Sequence, residues 1–177
     1  MMSKSKCTVR PMDEGDLERV LVWRNSPEVR TFMLTQHEIT LAEHRAWFEK
    51  VHADASRALL IAEDEGGPFG FVGFSGVSKA GAADWGFYTA PEAVRGSGRQ
   101  LGAAALEYAF HSLALHKVCG QALGFNTASI RFHLSLGFQQ EGVLRQQYQI
   151  DGKYHDLICF GLLEQEWCCR TESAEDE

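Results

Sequence analysis

The sequence predicts one α/β domain, and more closely an α+β arrangement in which helices cover both faces of a mixed sheet. Strand-like and helical segments alternate after residue 57, and further helical segments precede that residue. The chain has 177 residues, 45% of them hydrophobic, and no long tract rich in Pro, Ser or Gly. Length and composition therefore fit a single domain with a sizeable core, which we place at residues 1–167.

The first third of the chain is mainly helical. Thr8–Pro11 predicts a short strand, and the spacing of apolar residues predicts a helix over Asp13–Asn25. A proline then breaks the pattern, so we expect a separate helical region around Ser26–Phe32. Thr40–Glu43 is a capping box, the polar pattern of a helix N-terminus, and predicts a third helix that ends near Ala53.

The rest of the chain contributes most of the sheet. The predicted strands are Arg57–Glu63, Phe69–Val77, Asp84–Thr89 and Lys117–Leu123, followed by two strands joined near Asp151-Gly152. The turn-forming segment Asp64–Pro68 makes the first two of these a predicted hairpin. The predicted helices are Gly98–Leu115 and Thr127–Leu136. No internal repeat is evident.

The charge of the chain argues against nucleic acid as a partner. The formal net charge is -7, whereas nucleic-acid binders usually carry a basic surplus. Part of the negative charge lies near the C-terminus, because residues 168–177 contain four acidic residues and one basic residue, Arg170. We expect this segment to be a disordered acidic tail.

Other features of the sequence predict the localisation of the protein and the state of its cysteines. The N-terminus lacks the apolar core of a signal peptide, and no segment has the roughly 18 uninterrupted apolar residues that span a bilayer. We therefore expect a cytoplasmic protein without a membrane partner. Five cysteines, an odd number, predict reduced thiols rather than a disulfide framework. Cys168 and Cys169 lack the spacer of a zinc site, so we predict no metal.

A glycine-rich basic turn is the first feature with a chemical implication. It comprises Arg95, Gly96, Ser97, Gly98, Arg99 and Gln100, and it opens directly into a predicted helix. Consecutive backbone N–H groups at a helix N-terminus attract phosphate, which suggests a phosphorylated cofactor. The alternative is that the turn only begins the helix.

Two motifs resemble the GCN5-related N-acetyltransferase (GNAT) superfamily. Arg95 and Gly98 match its glycine-turn signature, although Gln100 stands where a small residue is usual. The segment from Asn126 to Phe138 resembles the superfamily's later motif, an Asn-headed helix that ends in Gly-Phe. On a helix, Asn126, Ser129 and His133 fall on one side. The residues could instead be a cap, a solvated serine and a core histidine.

This resemblance implies a fold, a co-substrate and a set of contacts. The fold is a seven-stranded, largely antiparallel sheet with a central, splayed parallel pair. The co-substrate is acetyl-CoA. Its expected contacts, including the oxyanion-binding backbone of the splayed strand, are Phe87, Tyr88, Thr89, Arg95, Gly96, Ser97, Gly98, Arg99, Gln100, Asn126 and Ser129. Core packing is the alternative for Phe87 and Tyr88.

The resemblance also suggests a catalytic acid. Many superfamily members have Tyr at the position of His133, where it protonates the departing CoA thiolate. We predict that His133 takes this role, since imidazolium, with a reference pKa of about 6.5, is a stronger acid than tyrosine at about 10. The alternative donor is water. The sequence leaves the general base open among His37, Glu38, His44 and a water relay.

Within the superfamily, several segments resemble the N-acetyltransferases of pseudaminic acid biosynthesis. They are Trp23–Arg30, Phe32-Met33, His37–Thr40, Glu43–Phe48 and the stretch from Trp85 through Phe138. That family acetylates the 4-amino group of UDP-4-amino-4,6-dideoxy-N-acetyl-β-L-altrosamine, on the way to a sugar that decorates flagellin. The contacts implied for this nucleotide sugar are Arg24, Met33, His44 and Tyr88. Alternatively, Arg24 is a solvated helix residue, Met33 belongs to the core and His44 lies on the surface.

Two other functions remain open at this level. One is an N-terminal or ribosomal-protein acetyltransferase, whose substrate is a peptide. The other is a non-catalytic acyl-CoA-binding domain, against which Asn126 and His133 argue. Apolar residues in the final strands fit either a homodimer or the core.

Overall fold

The computed structural model describes residues 7–175, and the side chains of residues 7–170. Its strands are β1 Thr8–Pro11, β2 Arg57–Asp64, β3 Gly67–Ser75, β4 Ala82–Thr89, β5 Lys117–Leu123, β6 Gln139–Ile150 and β7 Lys153–Leu163. They form one sheet in the order β1-β2-β3-β4-β5-β7-β6. Among the strands of the described residues, only the central β4–β5 pair is parallel. The predicted fold class is confirmed.

The helices lie close to their predicted positions, except for α6, which was not predicted. They are α1 Leu17–Asn25, α2 Pro27–Arg30, α3 Leu41–His52, α4 Ser97–Glu107, α5 Thr127–Ser135 and α6 Glu164–Glu175. The capping box forms, with the Thr40 hydroxyl accepting from Glu43 N–H at 3.2 Å. Two predicted helices change type: a 3-10 turn, Glu14–Asp16, precedes α1, and a π-helical segment, Tyr108–Ser112, follows α4.

The sheet divides the core into two clusters, as the alternation of side chains along a strand requires. Leu60 and Val72 point to one face, where they pack with α4 residues such as Leu101. Their neighbours Ile61 and Phe71 point to the opposite face, where the other cluster includes residues of α1 and α3. The helices that carry the predicted cofactor and substrate motifs are thus fixed on opposite sides of the sheet.

The end of the chain differs from the predicted disordered tail. Residues 168–175 continue α6, while residues 176 and 177 lie outside the described part. The helix is anchored by Trp167, which is 6% exposed and donates its indole N–H to Glu107 Oε2 at 3.2 Å. Arg170 adds a hydrogen bond of 2.7 Å to Ser135 O. Packing therefore overrides an acidic composition that, alone, predicts disorder.

The described residues also bear on the membrane, metal and cysteine predictions. Within residues 7–175, no helix has the length and apolar character needed to cross a membrane. No three His, Cys, Asp or Glu side chains of the described chain come together as metal ligands. Cys7, Cys119 and Cys159 are free thiols.

Candidate active site

The two parallel strands at the centre of the sheet separate after a short contact. They pair only at Ala82–Lys117, Ala83–Val118 and Asp84–Cys119. Beyond these pairs β4 stays bound to β3 and β5 stays bound to β7, so the facing edges diverge and lose their ladder partners. The divergence opens a cavity of about 630 Å³ between the strands.

A buried histidine fills the point at which the strands separate. Trp85 and Gly120 directly follow the last β4–β5 pair, and His133 of α5 contacts both. Its Nε2 lies 3.1 Å from Trp85 Nε1. A Cβ at Gly120 would lie 2.3 Å from the same Nε2, so glycine alone leaves room for the ring. Phe160 stacks on the imidazole with ring centroids 4.7 Å apart.

This geometry argues against the predicted role of His133 as the general acid. Since Trp85 N–H can only donate, Nε2 of His133 accepts, and Nδ1–H donates to Ser129 O at 2.8 Å. Both ring nitrogens are therefore occupied by protein, and the side chain is 1% exposed and does not line the cavity. Burial also lowers the pKa of His133, which favours the neutral ring. The residue packs where the two strands separate, outside the cavity lining.

The glycine-rich turn has the backbone of an anion site. Gly96 is the N-cap of α4 with a φ of 96°, a conformation that favours glycine. The N–H groups of Ser97 and Arg99 donate to the carbonyls of Val94 and Gly96 at 3.0 and 3.1 Å. Helix geometry leaves the N–H groups of Gly96 and Gly98 without an intrahelical partner. These two groups suit a phosphate oxygen.

The side chains of the turn differ in burial. Arg95 and Arg99 are exposed and Gln100 is half-buried. Ser97 is 7% exposed, and its hydroxyl donates to the Val94 carbonyl just before the turn. Two exposed cations thus flank the positive end of the helix dipole, which adds to its attraction for anions. Of the six turn residues, Gly98 also lines the cavity.

The predicted cofactor residues on β4 and α5 form two walls of this cavity. Phe87, Tyr88 and Thr89 line it from β4. Asn126 and Ser129 line it from α5, where Asn126 Oδ1 caps the helix by accepting from Ser129 N–H at 3.1 Å. The structure therefore brings together two segments of the chain that are distant in the sequence.

The opposite end of the cavity contains two of the predicted substrate residues. Met33 and Tyr88 line it; Arg24 lies outside the lining, with its guanidinium within electrostatic range of Tyr88. Arg24 Nη2 donates to Thr35 O at 3.1 Å, but Nη1 is buried and has no hydrogen-bond partner among the described residues. Burial raises the pKa of Tyr88 well above its usual range, so the phenol stays neutral.

His44, the fourth predicted substrate residue, lies behind the wall and not in it. It is 4% exposed, does not line the cavity, and stacks on Trp47 with ring centroids 5.1 Å apart. Its Nε2 has no partner among the described side chains. Burial, helped by the charge of Arg24, lowers the pKa of His44. The surface role that the sequence left open is excluded.

None of the three side chains considered as a general base lines the cavity. His37 is 63% exposed and lies 3.4 Å from a Glu43 oxygen. Glu38 is 77% exposed and lies 3.8 Å from Arg30. The lining instead contains Glu28 of α2, which sequence reasoning missed. No spacing signal distinguishes Glu28, since an exposed acid in a first helical turn is ordinary.

A second cavity of about 360 Å³ lies beside the first. It is bounded by the loop after α2 and the β6–β7 turn, and its lining includes Gln36, Phe125 and Lys153. Phe32 lines the first cavity, and its ring centroid lies 6.0 Å from that of Phe125 in the second. An aromatic pair therefore stands between two spaces that a long acceptor could share.

The arrangement fits an acyl-CoA thioester. The splayed strands offer unpaired backbone groups for amide-bearing chains, and the start of α4 offers N–H groups for a diphosphate. Gly86 faces the cavity, and a Cβ there would meet no atom within 4 Å, so the groove is open along β4. Acetyl-CoA supplies the activated acetyl group, and backbone N–H groups in the gap can stabilise negative charge on its carbonyl oxygen.

Comparison with known proteins agrees with this geometry. A family model described as an acetyltransferase (GNAT) domain matches residues 6–139. Spermidine N(1)-acetyltransferase of Vibrio cholerae serotype O1 is 25% identical over 171 residues, covering 95% of this chain and 99% of that protein. Acetyltransferase PseH of Campylobacter jejuni is 23% identical over 122 residues, covering 69% of this chain and 76% of that protein.

The fold has a counterpart among solved structures. A crystal structure of spermidine N-acetyltransferase from Vibrio cholerae, in complex with CoA and spermine, superposes with a TM-score of 0.85. The match covers 92% of this chain and 98% of that chain at 23% identity. The family match spans most of the chain and coincides with the splayed strands and the anion-binding turn. The chain therefore belongs to the GNAT acetyltransferase family and is an acetyl-CoA-dependent acyltransferase.

Proposed function

We propose that the protein is an N-acetyltransferase for a nucleotide-linked amino sugar. The specific acceptor is the 4-amino group of UDP-4-amino-4,6-dideoxy-N-acetyl-β-L-altrosamine, which places the reaction in pseudaminic acid biosynthesis and flagellin glycosylation. The amine attacks the thioester directly. The observation that carries the proposal is Arg24, whose Nη1 is buried beside the acceptor wall without a partner.

An unpartnered guanidinium N–H favours an acceptor that brings an anion or a carbonyl. Leaving a buried charged donor unsatisfied costs about 1–3 kcal/mol or more, which a phosphate or uracil oxygen would recover on binding. Tyr88 and Met33 offer flat and adaptable apolar surfaces in the same wall. The adjoining second cavity gives room for the remainder of a nucleotide.

The charge of the lining argues against a polyamine as the preferred acceptor. Of the described side chains that line the larger cavity, Glu28 alone carries a formal charge. A polyamine has several ammonium groups, and one carboxylate can pair with only one of them, so burying the others is unfavourable. Spermidine is nevertheless the second candidate, because spermidine N(1)-acetyltransferase of Vibrio cholerae matches almost the full length of this chain.

The test is a direct comparison of acceptors. The protein is incubated with acetyl-CoA and, separately, with the UDP-amino sugar, with spermidine and with a peptide bearing a free N-terminus. Thiol release gives the rate, and mass spectrometry identifies the acetylated product. The proposal expects the highest kcat/KM with the UDP-amino sugar. Preference for spermidine or peptide would replace the acceptor, and thiol release equal to the acceptor-free background with all three would favour a non-catalytic domain.

Arg24→Ala tests the role proposed for Arg24 in acceptor binding. We expect the KM for the UDP-amino sugar to rise about tenfold to a hundredfold, the equivalent of one charged hydrogen bond. Acetyl-CoA affinity should change little. Arg45→Ala, an exposed arginine on α3, is the matched control. A loss confined to acetyl-CoA affinity would contradict the role given to Arg24.

A further inference from the structure

Amine acetylation requires a proton acceptor, and the larger cavity offers few. A primary alkylamine resembles lysine, with a pKa of about 10, so near neutrality it is mostly an ammonium ion that cannot attack a carbonyl. The polar side chains in the lining are Glu28, Tyr88, Thr89, Gln121, Asn126 and Ser129. Of these, only Glu28 has a carboxylate, a group that attracts an ammonium and can accept a proton from it.

Glu28 is held at the cavity mouth by its own helix. It lies in the first turn of α2, and the next residue, Val29, is 8% exposed and buries one side of that short helix. Glu28 itself is exposed, and the described side chains include no ion pair to it. Its carboxylate is therefore available to a ligand in the cavity.

The charged and titratable groups around this end of the cavity are few. Arg24 lies on α1 and Tyr88 on β4, and each influences the other. Arg30 of α2 is 3.8 Å from Glu38 of the following loop, so its charge is partly neutralised. The β5 and α5 walls contribute the uncharged Gln121, Asn126 and Ser129 to the lining.

We infer that Glu28 binds the ammonium group of the acceptor and takes its proton, directly or through one water. This assignment rests on the proposed amine acetyltransferase function but not on the identity of the amine. The ammonium loses a proton to the Glu28 carboxylate and becomes a neutral amine. The nitrogen then bonds to the acetyl carbon as the carbon–sulfur bond breaks. The second proton of the amine nitrogen passes through water to the departing thiolate, and Glu28 returns the first proton to solvent.

His44 is a poorer candidate for this task. Its imidazole lies outside the lining, and burial beside Arg24 opposes the imidazolium that proton transfer would create. Tyr88 is already protonated and has no acceptor capacity for a full proton. Under the proposed function, Arg24 then binds the anionic part of the acceptor, and Glu28 binds its amine.

Glu28→Gln and Glu28→Asp test the inference, with Glu18→Gln, an exposed acid on α1, as the matched control. Each variant is assayed with the UDP-amino sugar and with spermidine. For whichever amine the wild type acetylates, Glu28→Gln should lower kcat/KM about tenfold to a hundredfold, with partial recovery in Glu28→Asp. The KM for acetyl-CoA and the melting temperature should not change.

The pH profile supplies a readout that a purely structural residue would not move. In Glu28→Gln, kcat/KM for the amine should keep rising toward alkaline pH, where free amine is present without help. A Glu28→Gln variant with wild-type kcat/KM and pH profile would overturn the inference while leaving the proposed function intact. Wild-type acetylation of spermidine but not of the sugar would overturn the proposed acceptor while still testing Glu28. Acetylation of neither amine would overturn both.

Discussion

The buried His133 gives the most informative single substitution. Replacing His133 with Phe keeps a flat ring of similar size but removes both nitrogens. The Nδ1–H bond to Ser129 O, at 2.8 Å, and the bond from Trp85 Nε1 to Nε2, at 3.1 Å, are lost together. The indole N–H of Trp85, a residue 7% exposed, is then left with no acceptor from this side chain.

The expected loss of stability follows from these contacts. Each hydrogen bond contributes about 1 kcal/mol, and an orphaned buried donor costs about 1–3 kcal/mol, so His133→Phe should destabilise the fold by about 3 kcal/mol. In a chain of this size, about 1 kcal/mol shifts the melting temperature by about 2–4 °C, which predicts a decrease of about 6–12 °C. The folded fraction should retain transfer activity, because His133 does not reach the cavity.

The assay combines thermal unfolding by circular dichroism with steady-state kinetics well below the transition. His116→Phe, an exposed histidine between α4 and β5, is the control for introducing an aromatic side chain. We expect it to leave the melting temperature of the protein unchanged. A His133→Phe variant that melts like the wild type but has lost kcat by orders of magnitude would restore His133 as the proton donor and refute the structural role.

Three further predictions follow from the same region. Gly120→Ala places a Cβ 2.3 Å from His133 Nε2 and should destabilise the protein by about 1–3 kcal/mol in urea unfolding; wild-type stability would contradict the close packing. Asn126→Ala removes the α5 cap and should cost about 1 kcal/mol, while Asn126→Ser should retain most of it. Burial lowers the pKa of both His44 and His133, so the unfolded state binds more protons than the folded state below about pH 6.5. The contribution of the two neutral histidines to the free energy of unfolding should therefore be fully present above that pH. It should decline as pH falls toward their pKa values in the folded state, by up to about 1.4 kcal/mol per pH unit for each histidine. Unfolding free energies at a series of pH values check this, and a flat profile between pH 7 and 5 would contradict it.

Local patterns in the sequence were sufficient for most of the fold. The capping box at Thr40 and the glycine turn before α4 depend on interactions between near neighbours, and both form as expected. The acidic C-terminal segment is different. Its helical state depends on contacts of Trp167 with Glu107 and of Arg170 with Ser135, which are distant in the sequence and cannot be inferred from composition.

The site was predictable where a motif determines the backbone and not where chemistry depends on burial. Asn126 and Ser129 reach the cavity because a helix cap fixes their positions. His133, on the same predicted helix face, is instead buried where β4 and β5 separate, in contact with Trp85 and Phe160. Glu28 reaches the cavity only because the fold sets α2 against β4, and no local pattern encodes that contact.

Acetyl-CoA binding to a variant with a blocked groove tests the central claim most directly. Gly86 lines the space between the splayed strands, and a Cβ there would meet no atom within 4 Å. Titration calorimetry would compare the wild type with Gly86→Phe, using Gly86→Ala as the control. We predict that Gly86→Phe folds, with cooperative melting, but loses acetyl-CoA binding, whereas Gly86→Ala retains most of it. Undiminished binding of acetyl-CoA by a folded Gly86→Phe protein would contradict the assignment of this cavity.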